Sequence, residues 1–197
     1  MKKMFILFSA ALAIIVSAGD IQLPPAEKSG GMALAEALNM RHTVRRYTDK
    51  ALTLQELANI LWSANGVNRP DGKRTAPSAR NRQEIMLYVT MKEGTFFYDP
   101  AAHMLKQISN EDLRKYSGRF AAPCYIIIAA DLEKQPSELF AAMDAGYVSQ
   151  NIHLAVTAQK LGTCTIGSIP DRKTLSGKIL SGKKQLLITH SLGTPAK

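Results

Sequence analysis

The chain has 197 residues, 46% hydrophobic and 21% charged, enough for one buried core and unlike a disordered or fibrous chain. Its formal charge of +9 would suit nucleic acid or a phosphorylated ligand, but no helix-turn-helix or zinc-finger spacing accompanies it, so no nucleic-acid partner is expected. Two cysteines exclude a disulfide framework and a CxxC pair, and four histidines without HExxH or close spacing give no metal site.

Lys2 and Lys3 precede an apolar run over residues 4–16 broken only by Ser9, and Val16-Ser17-Ala18 follows. This pattern predicts a signal peptide over residues 1–18, cut after Ala18. The run is shorter than the ~20 residues of a spanning helix, and no cysteine follows it to take a lipid. The expected product is exported and periplasmic, has no stable membrane anchor, and carries +7 once Lys2 and Lys3 are removed. Residues 19–31, with Pro24-Pro25 and Ser29-Gly30-Gly31, read as a flexible arm ahead of one domain over 32–197.

Met32, Leu34, Ala35 and Leu38 have helical spacing that ends near Arg41. Thr53-Leu54-Gln55-Glu56 is a capping box opening a helix with an apolar stripe of Leu57, Ile60 and Leu61, stopped by Gly66. Residues 67–83 form a long polar loop, a length uncommon in compact domains unless functional. Strands are expected over 85–91 and 96–99 with a turn at Gly94, and 124–130 is apolar enough to be buried on both faces. A long helix over 136–161, capped by Gly162, carries Ala141, Ala142, Ala145 and Gly146, small enough for a symmetry-related helix to pack closely. A strand over 163–166, a helix from Asp171 and a strand over 185–192 complete the chain. The predicted class is α+β, a central sheet covered by helices. Cys124 and Cys164 suit either a mutual disulfide in an oxidising compartment or two small core positions.

Three segments carry candidate chemistry. In Arg41-His42-Thr43-Val44-Arg45-Arg46 the alternation puts Arg41, Thr43 and Arg45 on one side of an extended backbone, two guanidinium forks and a hydroxyl suited to a phosphate. Pro77-Ser78-Ala79-Arg80-Asn81-Arg82-Gln83 ends the long loop with groups able to read the edge of a heterocycle. Thr165-Ile166-Gly167-Ser168 ends a strand in a glycine that lets backbone amides approach a flat ligand. Each alone is as consistent with an ordinary basic turn, polar loop or strand end.

Taken in order, these segments resemble the nitroreductase family, with further matches at Trp62, Ala64, Asn68-Arg69-Pro70-Asp71-Gly72, Asp144, Leu161-Gly162-Thr163 and Ser191-Leu192-Gly193-Thr194-Pro195. The stretch from Gly94 to Pro100, with His103 and Leu105, is similar to the branch containing the azoline dehydrogenases. The resemblance covers about residues 32–197. It implies a homodimer binding FMN at the subunit interface, with Arg41, Thr43 and Arg45 on the phosphate and His42 beside them. Pro77, Ser78, Ala79 and Asn81 would meet the ribityl chain and ring, and the amides of Ile166 and Gly167 would lie near flavin N5. It further implies ping-pong hydride or electron transfer through N5, to or from a small nitroaromatic, quinone-like or azoline-like substrate, with no side chain acting as acid, base or nucleophile. Two departures stand out: Gln83-Glu84-Ile85 where many members have Gln-Pro-Trp, and Ile166 where many have an acid. They favour, as an alternative, a flavin- or ligand-binding protein of the same fold without turnover.

Overall fold

The computed structural model describes residues 19–197; the predicted signal peptide lies outside the described residues. Along the chain run β1 (Ile21–Gln22), α1 (Leu34–Met40), α2 (Leu54–Asn65), β2 (Ile85–Met91), β3 (Gly94–Asp99), β4 (Met104–Ser109), α3 (Arg114–Ser117), β5 (Cys124–Asp131), α4 (Glu138–Ala158), β6 (Gly162–Ile166), α5 (Arg172–Ile179) and β7 (Lys184–Gly193). The strands form one antiparallel sheet in the order β1-β4-β3-β2-β5-β7-β6. The class is α+β, as the sequence predicts.

Strand β5 sits mid-sheet, apolar at nearly every position, and so buries both faces. Ile126, Ile128 and Ala130 point to one side, where Leu57, Ile60 and Leu61 of α2 and Val148, Ile152 and Val156 of α4 close the larger core. Ile127 and Ala129 point to the other, against Leu113 and Leu175 beside α3 and α5. The predicted capping box is present: Glu56 N–H donates to Thr53 Oγ1 at 3.1 Å, and Thr53 N–H donates to Glu56 Oε2 at 2.6 Å.

Three expectations are corrected and one open alternative, the disulfide, is closed. The arm over 19–31 is not loose where it meets the sheet: Ile21 and Gln22 pair with Leu105 and Met104, Gln107 N–H donates to Asp20 Oδ1 at 2.8 Å, and Leu23 is buried. The reason is β4, an otherwise open edge whose backbone groups need partners. Gly162 does not cap α4, because the helix ends at Ala158, Lys160 takes the left-handed conformation and Gly162 opens β6. Ala141 and Ala145 do not face a second copy: both are buried in the chain's own core, while Gly146 and Tyr147 lie on the exposed side. A disulfide between Cys124 and Cys164 is excluded, since β7 runs between their strands. Next-nearest strands lie about 9–10 Å apart, beyond bridging distance. Both thiols are buried, and burial pushes that of Cys124 up to about 12.

Gly162 has another role. A Cβ there would sit 2.7 Å from the Cβ of Val44, so only glycine lets residues 41–45 lie against β6. Gly162→Ala should therefore overpack this contact and destabilise the fold by about 1–3 kcal/mol, read as a lower urea midpoint with an unchanged m-value. An unshifted midpoint would show that the segment yields freely.

Candidate functional site

The first predicted segment leaves α1 at Arg41 and runs along the free edge of β6, fixed by Val44 N–H donating to Thr163 O at 3.0 Å. Tyr47 anchors its far end through a hydrogen bond between its hydroxyl and Ser191 Oγ at 2.8 Å. Val44 turns toward Gly162, and the flanking Thr43 and Arg45 are exposed. Arg41 is half-buried, and neither it nor Arg45 has a carboxylate partner among the described residues. His42 is exposed and its Nδ1 lies 2.9 Å from Met40 O. Two uncommitted guanidiniums and a hydroxyl on a fixed backbone make an anion receptor.

The second segment is held by a different element. Ala79 N–H donates to Asp144 Oδ2 on α4 at 2.8 Å, and Gln83 N–H donates to Ser78 Oγ at 3.0 Å. Arg80, Asn81 and Gln83 all adopt positive φ, with φ of 56°, 53° and 50°. Such strain persists only where surroundings impose it, and it clusters at ligand sites. Pro77 and Asn81 are exposed.

The third segment closes β6. The Ile166 side chain is buried with Tyr125 and Cys164, so it presents only backbone to a ligand. Gly167 is exposed, with open space where a Cβ would stand. The side chain that faces outward here is Thr165, which the sequence reading passed over. Its Oγ1 lies 2.9 Å from His153 Nε2, and His190, fully buried, lies behind with Nε2 2.9 Å from Ser149 Oγ and Nδ1 3.1 Å from Thr163 Oγ1. The two imidazoles meet edge-on, with ring centroids 5.2 Å apart. Burial, reinforced by the Arg41 charge, lowers the pKa of His153; burial and His153 hold His190 down to about 3. Both are therefore neutral near pH 7. The first and third segments thus share β6, and the second lies further along α4, between Asp144 and Ser149 a distance of about 7–8 Å. Among the described residues no cluster of three or more His, Cys, Asp or Glu could hold a metal ion.

Beside the second segment, Glu84 is fully buried and neither carboxyl oxygen meets an N–H or hydroxyl donor. Burial first, then the neighbouring Asp144 carboxyl, push Glu84 up to about 7. The folded state thus holds a proton that the unfolded chain releases near 4.5, so this group's contribution to stability is complete below pH 4.5 and falls as pH rises toward 7. Glu84→Gln keeps the size of the side chain and removes the titration. It should gain stability over the wild type between pH 5 and 7 and hold that gain above, in denaturation curves taken across the range. A gap independent of pH would show that no proton is shared.

The nitroreductase family model matches residues 38–194. A protein of Methanocaldococcus jannaschii named as a nitroreductase is 32% identical over 194 residues, covering 88% of this chain and 96% of the relative. A crystal structure from Ralstonia eutropha, also described as a nitroreductase, superposes with a TM-score of 0.85 at 30% identity and covers 90% of each chain. A Desulfovibrio desulfuricans structure solved with FMN shares the fold, with a TM-score of 0.64 at 23% identity, covering 85% of this chain and 89% of its own. The chain belongs to the nitroreductase family of oxidoreductases.

Proposed function

We propose that this protein is an FMN-dependent oxidoreductase acting on a small organic substrate of the nitroaromatic, quinone-like or azoline-like kind. The observation that carries the reading is the anion receptor of Arg41, Thr43 and Arg45, pinned at Thr163 on the same strand that ends at the open backbone of Gly167. Four residue steps lead from Thr163 to Gly167, about 13 Å, so one extended phosphate-bearing ligand can reach both. Bound FMN supplies the two-electron chemistry, and the protein supplies binding, orientation and electrostatics. Arg41 and Arg45 hold the phosphate with Thr43, Pro77, Ser78, Ala79 and Asn81 border the ribityl chain and ring, and Ile166 and Gly167 offer backbone amides. His42 lies beside the phosphate group.

The mature chain from Gly19 should take up FMN, turn yellow, and pass electrons from a donor to an acceptor. A chain that stays colourless after FMN addition and dialysis would overturn the reading, and bound flavin that no donor reduces would leave a binding protein. Arg41→Ala or Arg45→Ala should weaken FMN by roughly ten- to a hundredfold, the size of a hydrogen bond to a charged group, while riboflavin, lacking the phosphate, is barely affected. Equal losses for both ligands would mean a folding defect.

A homodimer fits the exposed apolar face that α1 and α4 share: Leu34 is 65% exposed, Leu139 69% and Tyr147 46%, with Leu38, Phe140 and Met143 between them. Such a patch marks an interface. Tyr147→Asp, which leaves the core untouched, should yield a monomer that loses FMN, seen by light scattering beside flavin absorbance; a wild-type monomer that retains FMN would refute the interface. Residues 1–18 carry the export proposal, and a periplasmic location would call for an electron donor other than cytoplasmic NAD(P)H. Among the described residues no helix is long and apolar enough to cross a membrane.

A further inference from the structure

We infer that the Thr165 hydroxyl is a preset hydrogen-bond donor to an acceptor atom on the edge of the flavin, with His153 behind it as a positioning residue. The inference rests on the FMN reading above. It starts from one unpartnered atom. His153 is 9% exposed, and its Nδ1 is buried without a hydrogen-bond partner. An orphaned N–H in a protein interior is rarer than an under-satisfied acceptor. The hydrogen of the neutral ring is therefore assigned to Nε2, from which it donates to Thr165 Oγ1 at 2.9 Å.

That assignment makes Thr165 an acceptor toward the interior and leaves its own hydrogen to be placed. His190 Nδ1 and Nε2 are already engaged by Thr163 at 3.1 Å and Ser149 at 2.9 Å. From Thr165 Oγ1, the remaining internal acceptors are His190 Nε2 at 3.4 Å and Ser149 Oγ at 3.5 Å. Both are longer than a well-formed hydrogen bond of about 2.5–3.2 Å. The hydroxyl hydrogen thus has no close acceptor inside the protein. Thr165 is exposed, and it immediately precedes Ile166 and the exposed Gly167, which the FMN reading sets beside the flavin. The carbonyl oxygens and ring nitrogens on a flavin edge are acceptors of the required kind. A donor held there favours the reduced ring, which carries more negative charge.

The test compares FMN dissociation constants and flavin midpoint potentials for the wild type, Thr165→Val, Thr165→Ser, His153→Phe and the double variant His153→Phe/Thr165→Val. Thr165→Val should weaken FMN roughly three- to tenfold, the size of one neutral hydrogen bond, and lower the midpoint potential, while Thr165→Ser restores both. His153→Phe should shift both quantities the same way, and the double variant should bind no worse than Thr165→Val, because His153 acts through Thr165. A wild type that binds no FMN overturns the cofactor reading and this inference with it. A wild type that binds FMN beside an unchanged Thr165→Val overturns the inference alone, as does a change confined to the KM for substrate. Additive losses in the double variant would refute the positioning role of His153. Should His153→Phe fail to fold, the Thr165 pair decides, since that side chain is exposed.

Discussion

A β-sheet edge must be covered, and in this chain the cover carries the residues proposed to bind phosphate. Strand β6 is the last of the seven strands, with unpaired backbone groups on its outer side. Residues 41–45 cover it in part, through one hydrogen bond from Val44 to Thr163 and the close contact of the Val44 side chain over Gly162. With Val44 turned inward, its neighbours turn outward, and Arg45 and Thr43 stand in solvent beside the strand. Without the glycine the segment would move off the edge, and the cations would lose their fixed distance from the strand's end. Edge protection and the proposed anion receptor are thus one packing solution.

Helix α4 supplies the second constraint. One side packs Ala141, Ala145, Val148, Ile152 and Val156 into the core, and the small residues let the helix approach its own α2 and sheet closely. The same helix directs Asp144 to the Ala79 amide and brings Ser149 and His153 to Thr165 and His190. The strained loop and the end of β6 are therefore referenced to a single rigid rod. Burying so many polar groups on one helix is costly unless they are paired. Among the described residues, pairing is incomplete at buried polar atoms of four side chains, Glu84, Gln135, His153 and Gln185, and two of these, Glu84 and His153, adjoin candidate ligand segments.

Much of the fold was legible because its signals are local. The capping box at Thr53, the doubly buried run of β5 and the short helix after Asp171 each depend on residues adjacent in sequence. Strand β4 and helix α3 were missed. The β4 sequence Met-Leu-Lys-Gln-Ile-Ser mixes buried Leu105 with exposed Lys106 and takes its place only by pairing with β3, while α3 spans four residues. Strand β1 was hidden for the same reason, since two residues gain strand character only from a partner 82 positions further on in sequence. On α4 the alanines were visible, but spacing alone could not say which neighbour they admit. The three candidate segments stand out by residue type and order; the histidines do not, because His153 and His190 are 37 positions apart and meet only through the antiparallel register of β6 with β7 and the lie of α4.

The two departures from the common family pattern take on physical meaning in this setting. Ile166 stands where relatives often carry an acid, yet its side chain lies in the cluster with Tyr125 and Cys164, so an acid there would have to be buried beside apolar neighbours or turn the strand. Alternation along β6 then gives the outward position to Thr165, a neutral donor where relatives often have a charge nearby. In the second departure, Glu84 stands where many members have proline. A proline lacks the N–H and the carboxyl; glutamate brings an ionisable group into contact with Asp144, the residue that fixes the loop. The loop's anchor is thereby coupled to proton binding. The first change takes a fixed charge away from the strand end, and the second brings a titratable carboxyl beside the anchor of the loop.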